Sequence, residues 1–436
     1  MSKGLFWPSL WYLVVATRPV GYWLALWGVP LPGGSDDPTD GSLIDRSFYL
    51  VLTIIGLWIL SRRRFDWATA FRRNQWLTVL LVFMAISILW SQYPYVSFKR
   101  FIKVIGSIVM ALVVLSDEQP LTATFSVLRR CLYIHLPMSI LCTRYFRDIG
   151  VSYSWSGEGQ SWQGISTTKN TLGQIAMLGV VYFSWEIRHR WREFRWRNIH
   201  VLYLFMAVYL LKGAGDSVSM TSISVCAFAL LIFIRLQTLR SRLGSARTFV
   251  RLIFGATIAL VTLVMVHSVV MFSADSVFGS LITTFGRDIT LTDRTNIWHD
   301  VYAAASGNPL LGVGFGGFWI GRMANIPWAQ DLSWVLGQGH SGYVDTYLQL
   351  GLVGVFLLVV VLFTTVPRLL ASMAHDFDFA CFRITMLLTI IYVNITESTY
   401  LRGDHHLWFI MMLVLWILPL SRPADDGANF EEEAVV

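Results

Sequence analysis

Residues 346–366 read TYLQLGLVGVFLLVVVLFTTV, a run without a charged side chain. A helix of about twenty residues rises roughly 30 Å, the depth of a bilayer's hydrocarbon, so such a run reads as a membrane span. Apolar runs of roughly 15 to 22 residues recur from end to end, and none has the alternating ~10-residue pattern of an outer-membrane barrel. Of the 436 residues, 55% are hydrophobic and 14% charged, and the mean hydropathy is +0.56. That composition excludes a soluble globular chain. The expectation is an all-α polytopic membrane protein, one integral membrane domain over 1–436 with about twelve transmembrane helices. The spans fall near 7–31, 43–60, 76–91, 101–116, 124–144, 169–187, 199–212, 217–234, 252–272, 346–366, 384–400 and 406–420.

Orientation follows from Lys and Arg, which short cytoplasmic loops retain. Arg62, Arg63, Arg64, Arg72 and Arg73 form one basic loop; Arg188, Arg190, Arg192, Arg195 and Arg197 a second; Arg235, Arg240, Arg242, Arg247 and Arg251 a third; Arg368 and Arg383 a weaker fourth. They occupy every second connection, which puts both termini in the cytoplasm of a bacterial inner membrane and the remaining connections outside. The net charge of +7 is thus a signal of topology and of contact with anionic lipid rather than nucleic-acid binding. The first apolar run is interrupted by Arg18-Pro19 and lacks a small-residue cleavage site, so it is expected to stay as a kinked first span. The four cysteines show no CxxC or Cys/His spacing, which points to neither a disulfide framework nor a structural metal; Cys381 is placed in a cytoplasmic connection. The absence of an internal repeat argues against an inverted-repeat transporter. Residues 423–436 are polar and read as a disordered cytoplasmic tail.

Two outward segments are long: 145–168, rich in Ser, Gly and Trp, and 273–345, about seventy residues and too long for a turn. In the second, Thr292 to Ser306 reads as a helix capped by Thr292, with Ile297, Val301 and Ala305 on one face and Arg294 and Trp298 on another. Gly312-Val313-Gly314-Phe315-Gly316-Gly317 then permits tight turns. Acidic residues outnumber basic ones there, so Arg287, Arg294 and Arg322 are either salt-bridged within the loop or placed to grip an anion. His340, within Gly337-Gln338-Gly339-His340-Ser341-Gly342, stands at a helix start whose dipole disfavours protonation; it is either a neutral base or a histidine lining the interface. Zinc is not indicated, because Val344 occupies the i+4 position. His405 and His406 read as interfacial. Lys169-Asn170 opens the sixth span, and Asn394 and Glu397 lie in the eleventh. Polar groups there are functional candidates, with snorkelling or interhelical hydrogen bonds as the alternative.

Together these residues resemble the O-antigen ligase and Wzy-type polysaccharide polymerase superfamily, most closely the exopolysaccharide polymerases of ExoQ type. The resemblance rests on Trp90-Ser91-Gln92-Tyr93-Pro94, Gly164-Ile165 with Lys169-Asn170-Thr171-Leu172-Gly173, and Gly286 to Trp298. It continues through Asn308-Pro309-Leu310-Leu311-Gly312-Val313-Gly314, Gly339-His340-Ser341-Gly342-Tyr343, Gly351-Leu352-Val353-Gly354 and Asn394-Ile395-Thr396-Glu397-Ser398.

That resemblance implies a metal-independent, cofactor-free glycosyltransferase of GT-C-like fold. Its donor would be an oligosaccharide on undecaprenyl diphosphate, polymerised into exopolysaccharide at the periplasmic face. Arg287, Arg294 and Lys169 would hold the diphosphate and His340 would activate the acceptor hydroxyl, supported by Asn170, Asp288, Trp298, Asn394 and Glu397. A flippase and a chain-length regulator are the implied partners. Where relatives carry a basic residue in a Ser-x-Thr signature, this chain has Met220 within Ser217-Val218-Ser219-Met220-Thr221-Ser222, so either Lys212 or Lys169 supplies that cation or the donor site is altered. Asp293 stands where glycine is common. A ligase acting on a lipid or protein acceptor, and a non-enzymatic permease component, are the competing readings.

Overall fold

A computed structural model describes residues 3–29, 42–153, 160–213, 219–270, 294–320 and 337–418. Its helices are α1 (Phe6–Ala16), α2 (Val20–Leu26), α3 (Leu43–Arg62), α4 (Trp67–Arg73), α5 (Gln75–Ser87), α6 (Pro94–Leu115), α7 (Pro120–Tyr145), α8 (Arg147–Gly150), α9 (Lys169–His189), α10 (Phe194–Lys212), α11 (Met220–Thr238), α12 (Leu243–Val270), α13 (Arg294–Ala305), α14 (Gly342–Ser372), α15 (Phe377–Val393) and α16 (His406–Leu415). The chain is thus a mainly helical, multi-pass membrane protein. A short antiparallel pair, β1 (Val151–Tyr153) and β2 (Gln160–Trp162), departs from the all-α expectation and pairs Val151 with Trp162.

Each of the twelve expected spans falls on a helix. Among the described residues, however, only α3, α11, α12 and α14 are individually long and apolar enough to cross a membrane, with a fifth if α4 and 75–90, bent by 97°, make one broken span. The first run breaks at Thr17-Arg18-Pro19, where the sequence puts its kink. Buried Arg18 fills that break, donating to the carbonyls of Ser166 at 3.1 Å and Ile149 at 2.6 Å. Helices meet closely where side chains are small, as membrane helices do. Gly106 of α6 faces Trp11 and Thr53, and Gly173 of α9 faces Ser222, each without room for a Cβ.

The basic loops converge on one end of the bundle. Arg63 reaches the Val113 carbonyl, Ser116 and Asp117; Arg240 and His189 both approach Asp378; Arg247 donates to Leu370 and Arg368 to the Arg73 carbonyl. Arg383 corrects the sequence reading. It is buried inside α15 and donates to the Val414 and Trp416 carbonyls, satisfying the open C-terminal end of α16, so it is a helix cap rather than a loop charge. Cys381 likewise lies buried within α15, not in a connection. The span expected over 384–400 ends at Val393, and 406–420 contains a helix only to Leu415.

At the opposite end a long helix is broken. Gly351 (φ +62°) interrupts α14. The interruption strands backbone groups that lipid could not satisfy, so protein must. Val313 and Gly314 N–H groups donate to the carbonyls of Leu348 and Gln349, and the N–H groups of Leu352 and Val353 donate to Pro309 and Leu310. Gly312, Gly314 and Gly316 all take positive φ, and a Cβ on Gly312 would press on the backbone of Gln349 to Gly351. The Gly-rich loop and the broken helix therefore form one unit. Residues 294–320 are carried by it against the start of α14.

Candidate active site

His340 precedes α14 in a left-handed conformation (φ +50°), unfavourable for a residue with a Cβ, and its neighbours fix it there. The Gly339 N–H donates to both oxygens of buried Asp345 at 3.1 Å. The Gly339 carbonyl accepts from the Trp298 indole Nε1 at 2.7 Å, and Trp319 Nε1 donates to Asp345 Oδ1 at 2.9 Å. On the other side the Gly342 N–H donates to the carbonyls of Asn394 and Glu397, and Ser341 Oγ to the Asn394 carbonyl. A Cβ on Gly342 would collide with Asn394 Oδ1.

The imidazole, 22% exposed, has Nδ1 4.0 Å from Glu397 Oε2. Glu397 Oε1 accepts from Asn170 Nδ2 at 2.7 Å, and Asn170 Oδ1 lies 3.5 Å from Ser219 Oγ. Gln338 Nε2 stands 3.4 Å from the same Nδ1. These two neighbours make opposite demands, because an amide N–H only donates and a carboxylate only accepts. A neutral ring with Nδ1 unprotonated suits Gln338, whereas an imidazolium suits Glu397. Nδ1 thus stands between an amide donor and a carboxylate acceptor.

Four predicted residues meet here: His340, Asn170, Glu397 and, through Gly339, Trp298. Trp298 is buried with Ile297 and Val301 rather than on a separate face. Asn394 is also a bracket, not a contact of His340. It follows α15, and its Oδ1 accepts from the N–H groups of Thr399 and Tyr400 while its Nδ2 donates to Ile390 and Thr399. Lys169, the exposed first residue of α9, follows Thr168, whose hydroxyl caps that helix. Buried His135, 2.9 Å from Ser166 Oγ, and Arg18 tie down the segment before it. Met220 opens α11 and is 55% exposed, and exposed Lys212 ends α10. Arg287, Asp288, the proposed Thr292 cap, the remainder of 271–293, residues 321–336 and the 423–436 tail lie outside the described residues, as does the side chain of Arg294.

Beside this cluster is a cavity of about 400 Å³ walled by the ends of α1, α3, α6, α9 and α14 and by the α15–α16 connection. Arg402 joins the two, since it lines the cavity and its Nη1 donates to Gln338 Oε1 at 2.8 Å. Arg100 and Lys103 line it as well. Arg100 is steadied by the carbonyls of Gly316 at 2.7 Å and Trp319 at 3.0 Å. Burial pushes the Asp404 carboxyl up, but Arg402, Lys103 and Arg100 outweigh it and hold the group below its ordinary value. Burial, with Arg402 adding to it, pushes the His405 ring down to about 3. A neutral ring is what its geometry needs, because Nδ1 accepts from the Leu407 N–H at 3.2 Å as the cap of α16. His405 and His406 are stacked at the start of α16, where His406 is fully buried and His405 lines the cavity.

Sequence reasoning missed Arg100, Lys103 and Arg402. A signal was present: Arg402 lies in a short connection, and Arg100 and Lys103 at the start of α6, on the side where the alternation of basic loops makes cations scarce. Asp345 was visible only as one of several loop acids. No group of three or more His, Cys, Asp or Glu suited to a metal occurs among the described residues.

Comparison with known proteins bears on this arrangement. Residues 201–359 match the O-Antigen ligase family. The matched segment contains Ser219, Trp298, the Gly-rich loop, His340 and the broken helix. The chain is also 24% identical over 293 residues to the exopolysaccharide production protein ExoQ of Rhizobium meliloti (strain 1021), an alignment covering 66% of this chain and 63% of the relative. The chain thus spans less than two thirds of that relative's length. Both findings agree with the resemblance carried by the motifs.

Proposed function

We propose that this protein is a membrane glycosyltransferase that polymerises oligosaccharide repeats carried on undecaprenyl diphosphate into exopolysaccharide at the periplasmic face of the inner membrane. The observation that carries the proposal is the pairing of His340 with Glu397 at one end of the bundle, opposite the basic loops. In this reading His340 accepts the proton of an acceptor hydroxyl, Glu397 favours the imidazolium so formed, and Asn170 keeps the carboxylate in place. The attacking oxygen forms the new glycosidic bond while the sugar's bond to the lipid diphosphate breaks. The leaving group already carries its charge, so cations suffice and no nucleotide is needed outside the cell. Arg287, Arg294 and Lys169 are the proposed diphosphate ligands, with Asp288 supporting the arginines. Twelve spans in a GT-C-like arrangement, cytoplasmic termini, a flippase and a chain-length regulator complete the proposal. The match to the O-Antigen ligase family favours a second reading, transfer to a lipid or protein acceptor.

Reconstitution into liposomes with a lipid-linked repeat tests both. Wild type should release undecaprenyl diphosphate, and His340→Ala should lose that release while keeping its fold. Turnover unchanged by His340→Ala would overturn the assignment. The product separates polymerase from ligase, by a lengthened lipid-linked glycan or a glycosylated acceptor.

A further inference from the structure

The 400 Å³ cavity is not the His340 cluster itself; it lies beyond Gln338 and Arg402 and has its own chemistry. Its size suits one or two sugar units. Its wall carries Arg100, Lys103 and Arg402 against the carboxylates of Asp45 and Asp404. Asp45 is already engaged, since it accepts from the Gly21 and Ser42 N–H groups and the Ser42 hydroxyl at the start of α3. Asp404, 46% exposed, is then the one wall carboxylate facing three cations that all act on it. Three cations against two carboxylates leave the wall one positive charge in excess. The hydroxyls of Thr167 and Thr171 also reach the cavity, the donors and acceptors that a polyhydroxylated ligand needs.

We propose that this cavity is a subsite for an anionic sugar, one joined to phosphate or bearing a carboxylate, and that it holds the charged part of the acceptor while another hydroxyl reaches His340. Lys103 and Arg402 contact the anion. Arg100 sets the potential from its place beneath the Gly-rich loop. The assignment rests on the transferase reading, but binding is measurable without turnover. Asp404 excludes ligands of high negative charge density and accepts hydroxyls from those that fit.

The test uses the full chain in nanodiscs and calorimetric titration with glucose 1-phosphate, glucuronate, inorganic diphosphate and glucose. At least one of the anionic sugars should bind, and neutral glucose should not. Lys103→Gln and Arg402→Gln should each weaken the anionic sugar about tenfold, the scale of one charge-assisted hydrogen bond, while Lys103→Arg and His340→Ala should retain it. Preference for glucose 1-phosphate assigns the charge to a phosphate-linked sugar, and preference for glucuronate to a carboxylated one; either sustains the subsite. Tighter binding of inorganic diphosphate than of both anionic sugars, equal binding of glucose, or unchanged affinity in both Gln variants overturns it. Because His340→Ala retains binding under this proposal, loss of turnover in that variant with intact binding separates this subsite from the catalytic assignment. Should Lys103→Gln fail to fold, Arg402→Gln and the probe series decide the matter alone.

Discussion

The Trp298 indole donates to the carbonyl of Gly339 over 2.7 Å, linking residues separated by forty-one positions in the chain. That bond hangs the segment bearing His340 on α13, and the Asp345 carboxylate holds the other side of the same glycine. The pose of His340 is therefore set by its neighbours' hydrogen bonds and not by its own preference.

Trp298→Phe keeps the buried ring and removes the donor. One buried acceptor left unpaired costs about 1–2 kcal/mol, so turnover in liposomes should fall roughly tenfold, with a midpoint lowered by a few degrees. A rate within twofold of wild type would mean the indole bond does not govern His340.

Gly351 makes a sharper demand. Alanine there must adopt φ +62° and overlap the Leu310 carbonyl. The expected loss is about 3 kcal/mol or more, read as loss of monodisperse protein on size exclusion. Gly244→Ala, where an added Cβ meets nothing within 4 Å, should behave as wild type in the same assay.

Glu397→Gln preserves size and the contact with Asn170 but removes the charge 4.0 Å from His340. Release of undecaprenyl diphosphate should drop on the order of 100-fold, the range of general acid–base assistance. Wild-type rates in this variant would exclude the carboxylate from proton transfer.

Acid should loosen the α15–α16 connection. The folded pKa of His405, about 3, lies below the roughly 6.5 of an unfolded histidine, so below that value the unfolded chain takes up a proton the folded one refuses. Stability from this group is full above pH ~6.5 and declines as pH falls toward 3. His405→Gln should show a smaller drop in thermal midpoint between pH 7.5 and 5 than wild type, and an equal drop would remove His405 as the cause.

Much of this was legible beforehand, for physical reasons that also explain the misses. Apolar runs located the helices because a bilayer imposes length and composition together. Arg18-Pro19 marked a true break, and His340, Asn170 and Glu397 do converge. Spacing along the chain, however, says nothing about pairing across it. Asn394 looked like an intramembrane polar group and is the bracket of a turn; Arg383 looked like a loop charge and caps α16. Trp298 was assigned a separate face because helical periodicity cannot know that Gly339 waits above it. Arg100 and Lys103 open an apolar helix and Arg402 lies in a short connection, so nothing along the chain joins them; the cavity is assembled from the ends of several helices.

The capping of α16 by Arg383, together with the bond from the Ile417 N–H to Asn74 Oδ1, fastens the end of that helix to the start of α5 among the basic loops. A fluorescent label on an exposed residue of those loops, such as Arg242, therefore touches no residue of the His340 cluster. With such a label, sidedness and turnover become measurable in the same cells.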